Sequence, residues 1–137
     1  MGALASIALN DGQGTPVAHT FTPARIQDGV AILNDMSGGI ALGYPRVTHL
    51  VRGPNKGSRN WKVTAKVVLP VLEVTSPSTA SGIQPAPTLA YNLEAHVEII
   101  LPERSSLAER KNLNAYMKNL MAHAIMTSAV ENFEALY

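Results

Sequence analysis

Six of the chain's 11 basic residues stand between Met36 and Leu72, a stretch with no Asp or Glu: Arg46, Arg52, Lys56, Arg59, Lys62 and Lys66. Among them lie Thr48, Asn60 and Thr64, which add hydroxyl and amide groups. Fixed cations neutralise phosphates and release their counterions, while Asn and Thr side chains can hydrogen-bond base edges, so this set suits nucleic acid. The same residues also fit a plainer reading, the solvated face of a sheet that Lys and Arg keep soluble. Composition does not choose between the two.

Catalytic chemistry has less to stand on. His19, His49, His96 and His123 are scattered without metal-ligand spacing, and no glycine-rich phosphate loop, nucleophile elbow or paired-Asp motif occurs. His49 falls on the apolar side of its segment and reads as a core histidine. His96 with Glu94 or Glu98 could form an acid–base pair, but only inside a pocket. With no cysteine, disulfides, thiolate metal sites and thiol catalysis are excluded. The chain reads as a non-enzyme without cofactor or metal.

Two kinds of element would position the basic set. From Asn60 to Leu69 the residues alternate, with Asn60, Lys62, Thr64 and Lys66 on one side and Trp61, Val63, Ala65, Val67 and Leu69 on the other. A period of two is that of a strand. Arg46–Arg52 is a second strand whose Arg46, Thr48 and Arg52 share one parity. The Gly53-Pro54-Asn55-Lys56-Gly57 turn would pair the two into one basic face. Alternation returns at Ala95, Val97, Ile99 and Leu101 against Glu94, His96 and Glu98. Upstream, Leu4–Leu9 and Val17–Thr22 predict a hairpin that Pro23 ends, and Val30–Leu33 a further strand. Val74 to Leu89, rich in Pro, Ser, Thr, Ala and Gly, predicts a long loop.

After Pro102 the period becomes helical. Ser106-Leu107-Ala108-Glu109 has capping-box spacing, and Leu113, Tyr116, Met117, Leu120 and Met121 form a stripe. Met126, Ala129, Val130 and Phe133 form a second, giving helices over about 106–122 and 124–134. The order predicts an α+β fold, a single domain over 1–137 with helices on one face of an antiparallel sheet. Its length of 137 residues and hydrophobic share of 46% support one core and exclude wholesale disorder. No targeting signal or membrane-length apolar run is read, so a soluble protein is expected. Helices of roughly 22 and 15 Å cannot cover five or more strands. The mismatch predicts an obligate dimer or larger assembly.

The order of hairpin, Gly29-Val30-Ala31, the basic strand pair around Ser58-Arg59-Asn60-Trp61-Lys62-Val63, then Tyr91 through Pro102, Glu109-Arg110 and a terminal Tyr137 resembles the coat proteins of single-stranded RNA bacteriophages, the Q-beta type in particular. The resemblance implies an amino-terminal hairpin, a five-stranded antiparallel sheet and two helices that cross over a partner subunit. Trp61, Val97, Leu113, Met117, Leu120 and Phe133 would lie in the core or dimer interface. It further implies a homodimer that assembles into an icosahedral shell, usually of T=3 symmetry, with the 74–89 loop at the symmetry axes. The virion would form in a bacterial cytoplasm around genomic RNA.

The inward sheet face would bind RNA, including an operator hairpin that represses replicase translation. Asn60, Lys62 and Thr64 match the family's RNA-contacting positions on one strand, Thr48 and Leu50 those on the preceding strand, and His96 a base-reading position. Arg52 and Lys66 complete the basic face. Glu94 stands where the family has a stacking Tyr, and Tyr91 lies on the opposite parity unless a bulge realigns it. A maturation protein is a further partner with no residues to assign to it. The competing reading is a freestanding dimeric RNA-binding module that forms no shell.

Overall fold

The computed structural model describes residues 3–73, 86 and 88–136. Six strands form one antiparallel meander in chain order: β1 (Ile7–Asn10), β2 (Ala18–Gln27), β3 (Val30–Asn34), β4 (Arg46–Arg52), β5 (Asn60–Leu72) and β6 (Leu89–Pro102). Two helices follow, α1 (Leu107–Ala122) and α2 (Ala124–Asn132). The architecture is α+β. The long connection expected over 74–89 falls mostly outside the described residues, and Leu89 already belongs to β6.

Local chemistry explains most of the junctions. The Asp11 carboxylate closes the β1–β2 turn by accepting from the backbone N–H groups of Gln13 and Val17 at 3.2 and 3.0 Å. Asp28 and Gly29 turn β2 into β3 with φ of 52° and 80°. Two successive left-handed residues match the twist of the strands they join, and Asp-Gly is the favoured pair. Between β4 and β5 the Asn55 side chain accepts from the N–H groups of Gly57 and Ser58, each at 2.9 Å. The capping box of α1 is complete: Glu109 N–H donates to Ser106 Oγ at 3.2 Å, and Ser106 N–H to Glu109 Oε2 at 2.8 Å.

Three expectations need correction. Pro23 does not end the hairpin; β2 runs through it, pairing with β1 over 18–21 and with β3 over 22–27. The separate hairpin and five-strand sheet are therefore one six-stranded meander. The register shifts between Pro23 and Arg25, and a bulge is where a strand tolerates a residue without an N–H. Second, Phe133 does not continue the α2 stripe. Its φ of 58° and ψ of 29° make it a left-handed C-cap, with its ring 92% exposed. Third, His49 is not core within the single chain: it lies on the apolar parity of β4 and, like Trp61 on the same face, is exposed there.

Most of the remaining departures share one cause. Among the described residues the buried apolar side chains are Phe21, Leu33 and Val68, and neither helix has a buried residue. The helices' main contact is with each other, not with the sheet. The chain exposes 10614 Å², whereas a self-contained protein of its mass exposes about 6900 Å². That excess is about 3,700 Å² per chain, or about 7,400 Å² for two, above the roughly 2,000–5,000 Å² that obligate dimers commonly bury over both partners, so there is ample surface for a dimer and for further contacts. Trp61, Leu113 and Leu120 are 44%, 38% and 41% exposed, and Val97 and Met117 are half-buried. None of the expected core residues is core in a single chain.

Candidate nucleic-acid interface

The strand registers assemble the basic face in cross-strand rows. On successive rows, β4, β5 and β6 contribute Arg52, Lys62 and Ile100; Leu50, Thr64 and Glu98; Thr48, Lys66 and His96; and Arg46, Val68 and Glu94. Asn60 opens β5 on the same parity, opposite Pro102. Every residue assigned to RNA from the sequence therefore shares one face of the sheet. The opposite face carries Val47, His49 and Val51 beside Trp61, Val63, Ala65 and Val67. A concavity lined by Val51, Trp61, Val63 and Leu101 also includes Ser105 and Arg110, which places the start of α1 on the apolar side.

The face is not uniformly positive. Lys62 Nζ is 3.0 Å from Glu98 Oε1, Lys66 Nζ is 3.8 Å from Glu94 Oε1, and His96 Nε2 is 3.4 Å from Glu94 Oε2. Such solvent-exposed pairs are worth about 0–1 kcal/mol each, so an incoming phosphate can compete for the lysines. Arg46 and Arg52 form no ion pair among the described residues. Arg59 is taken by Glu103, with its Nε donating to Oε2 at 2.9 Å and its Nη2 at 2.6 Å from the same oxygen. His96 and Glu94 lie together on an exposed strand face, which gives an acid–base pair no enclosed pocket.

Tyr91 lies opposite Val71, in the parity of Leu93 and Ala95 on the apolar face. The irregularity in β6 falls on the far side of Tyr91, between the Val71 and Leu72 pairings, so no bulge carries the ring to the basic face. Among the described residues an aromatic ring on that side is Tyr44, which the sequence reading missed. Tyr44 lines a cleft of about 540 Å³ together with Arg25, Asn34, Arg46 and Lys66. Arg25 lies in β2, Asn34 ends β3 and Tyr44 lies just before β4, so only the register connects these residues. Nothing in the local pattern of Arg25 or Asn34 marks either one.

A second titratable cluster sits apart, at the hairpin. His19 Nε2 donates to Asp11 Oδ2 at 2.9 Å and His19 Nδ1 to Asp35 Oδ2 at 3.1 Å. Bonded to carboxylates at both nitrogens, Asp11 first, the imidazole is held charged above its ordinary pKa. Asp11 is lowered to about 2, chiefly by the Val17 N–H and then by His19. Buried Asp35 is lowered mainly by its hydrogen bonds to Ser37. Among the described residues no group of His, Asp and Glu is arranged to hold a metal ion, and no helix is long and apolar enough to cross a membrane.

A six-stranded antiparallel meander with one charged face, one apolar face and two unburied terminal helices defines an assembling structural subunit. A family model described as levivirus coat protein matches residues 2–137, and the chain belongs to that family. It is similar to the capsid protein of Pseudomonas phage PRR1, 28% identical over 136 residues and covering 98% of each chain. It is 27% identical over 140 residues to the capsid protein of Qbeta virus (strain MX1), covering 100% of each. The solved virus-like particle of bacteriophage ESE058 superposes with a TM-score of 0.90 at 29% identity, covering 99% of this chain and 100% of that one. The protein is thus a bacteriophage capsid component with a structural, non-enzymatic role, and it assembles with copies of itself.

Proposed function

We propose that the chain forms a homodimer through its apolar face and helices, that dimers close into an icosahedral shell, and that the charged face binds single-stranded genomic RNA inside it. The observation that carries the RNA reading is the row pattern. Arg52 and Lys62, Thr48 and Lys66, and Leu50 and Thr64 lie directly opposite one another on β4 and β5, a repeating cationic and hydrogen-bonding surface on the side away from Trp61. Phosphates would be held by Arg52, Lys62 and Lys66. Thr48, Thr64, Asn60 and His96 offer hydrogen bonds to bases and sugars, and Leu50 a small apolar contact. Glu94 and Glu98 tune this surface by occupying the lysines when RNA is absent, which disfavours loosely placed phosphate. An operator hairpin would dock on the same face.

The dimer reading rests on the excess exposed surface and on Leu113, Met117 and Leu120, none of which is buried by the described residues of the chain. In the dimer, Trp61 and Val97 would lie under the partner's helices.

Lys62→Ala in the full chain, expressed in bacteria, tests the RNA assignment. Particles should still form, with less RNA per particle, and the slope of log affinity against log salt should fall by about 1. Unchanged RNA content would refute it. A parent protein that binds RNA but never forms particles would favour the freestanding module.

A further inference from the structure

The β1–β2 hairpin is joined to the rest of the sheet by the second half of β2. That strand pairs with β1 over 18–21 and with β3 only from Thr22 onward, so residues 7–21 form a two-stranded ribbon beyond the last β2–β3 pair. A ribbon of two strands is marginal by itself. All four residues of β1 are exposed, and β1 packs mainly on β2. The bulge between Pro23 and Arg25 bends β2 just inside this junction, and Phe21 is buried at the foot of the ribbon. Among the described residues one side-chain hydrogen bond ties the ribbon to the remainder of the chain, His19 Nδ1 to Asp35 Oδ2 at 3.1 Å.

Asp35 anchors that tie. Its side chain is 7% exposed, its Oδ1 accepts from the Ser37 N–H at 3.1 Å, and its own N–H donates to the Pro45 carbonyl at 3.0 Å. The His19 side chain is 39% exposed, so its proton exchanges with water while the contact is closed. Ribbon, loop and sheet line a concavity of about 500 Å³ whose apolar walls are Leu9, Phe21, Pro45, Val67 and Leu69. Asp11, His19 and Asp35 are the titratable groups that line it. β1 carries no charged residue, Arg25 of β2 lies on the charged face, and Tyr44 of the β3–β4 connection lines the other cleft.

The arrangement holds in one charge state of the ring. An imidazolium donates from both nitrogens; a neutral ring donates from one and presents a lone pair at the other. Both nitrogens face a carboxylate oxygen, at 2.9 Å for Asp11 and 3.1 Å for Asp35, so on deprotonation one contact sets a lone pair against an oxygen. The Asp11 contact is the shorter and the larger cause of the ring's raised pKa, which keeps the remaining proton at Nε2. The contact that fails is then the tie to Asp35, whose buried carboxylate loses its counter-charge. We propose that residues 7–21 are a hinged flap, latched by His19 and released when that imidazole loses its proton, which uncovers Phe21, Val67 and Leu69. The latch is closed while His19 is charged and Asp35 ionised, and it opens as the solution turns alkaline. It rests on neither the RNA reading nor the dimer reading.

The test is amide hydrogen exchange of the full-length protein in its assembled form, read by mass spectrometry between about pH 5 and about pH 9 and corrected for intrinsic exchange rates. Protection of peptides from 7–21 should fall as pH rises through the His19 midpoint, about tenfold for each unit by which that midpoint exceeds 6.5. Peptides from β4 and β5 should hold their protection. Asp11→Asn should keep the flap shut across the range, because the amide N–H at position 11 can donate to the Nε2 lone pair and leave Nδ1–H for Asp35. His19→Gln should give one level of flap protection at every pH. Constant protection of the parent's flap, a fall that β4 and β5 share, or the same fall in Asp11→Asn would overturn the latch. Should Asp11→Asn fold poorly, His19→Gln decides: a fall with pH that persists there excludes His19 as its cause.

Discussion

At the amino-terminal end, β1 and β2 are tied to the loop after β3 by one imidazolium between two carboxylates, with Phe21 and Leu33 buried. At the carboxy-terminal end, α1 and α2 have complete local hydrogen bonding but no buried side chain. The hairpin corner is finished within one chain. The helices have everything a helix needs except something to pack on. Helices of this length gain most of their stability from tertiary burial of one face, not from capping and propensity, so the two ends should respond differently to mutation and to assembly.

The largest effect should come from the helix end. Leu120, 41% exposed in the single chain, should cost about 2–5 kcal/mol of dimer stability when changed to Ala, the range for a buried leucine. Leu120→Asp should abolish particles in electron micrographs. A Leu120→Ala change within about 0.5 kcal/mol of the parent in denaturant unfolding, as for a surface site, would break the comparison.

The hairpin corner should show itself through pH. His19 is raised, so its contribution is full below its ordinary value near 6.5 and lost as pH rises through the shifted one. Asp11 and Asp35 are lowered, so theirs is full above about 4 and lost on acidification, for Asp11 towards about 2. The stabilising window therefore lies between roughly pH 4 and 6.5. The difference in Tm between parent and His19→Ala should be greatest near pH 5 and shrink as the solution becomes alkaline. A constant difference across that range would mean that His19 acts by packing alone.

Two smaller changes sharpen the contrast. Gly29→Ala, forced to φ near 80°, should cost about 1 kcal/mol or somewhat more, measured by thermal unfolding. Ser106→Ala removes the α1 cap and should also cost about 1 kcal/mol. In assembled particles the cap loss should move Tm less than Leu120→Ala does, because a cap is local and the leucine would lie in the proposed dimer interface.

The charged face was legible wherever alternation was undisturbed. β4 matches Arg46–Arg52 because Arg46, Thr48 and Arg52 alternate with apolar residues between two turn signals. Asn60 through Lys66 could be read as a strand face for the same reason, although β5 continues past Pro70 to Leu72. The Ser106–Glu109 cap could also be read, since its partners are three residues apart. What escaped were residues whose meaning depends on register. Pro23 looked like a stop because a bulge is invisible in the pattern of one strand. The Asp28-Gly29 turn carried a readable signal that the strong proline obscured. Arg25, Asn34 and Tyr44 stand on three separate segments and meet only after β2 has slipped by one residue.

By itself the sequence determined the α+β order, the parities of the central strands and the shortage of helix needed to cover them, because these follow from local periodicity and element length. The tertiary structure decided that β2 serves both hairpin and sheet, that no bulge turns Tyr91 from the apolar side, that Phe133 caps α2 and that Arg25 reaches the charged face. Those outcomes depend on pairing energies between segments distant along the chain, and a one-residue slip in such pairing reverses which way a side chain points.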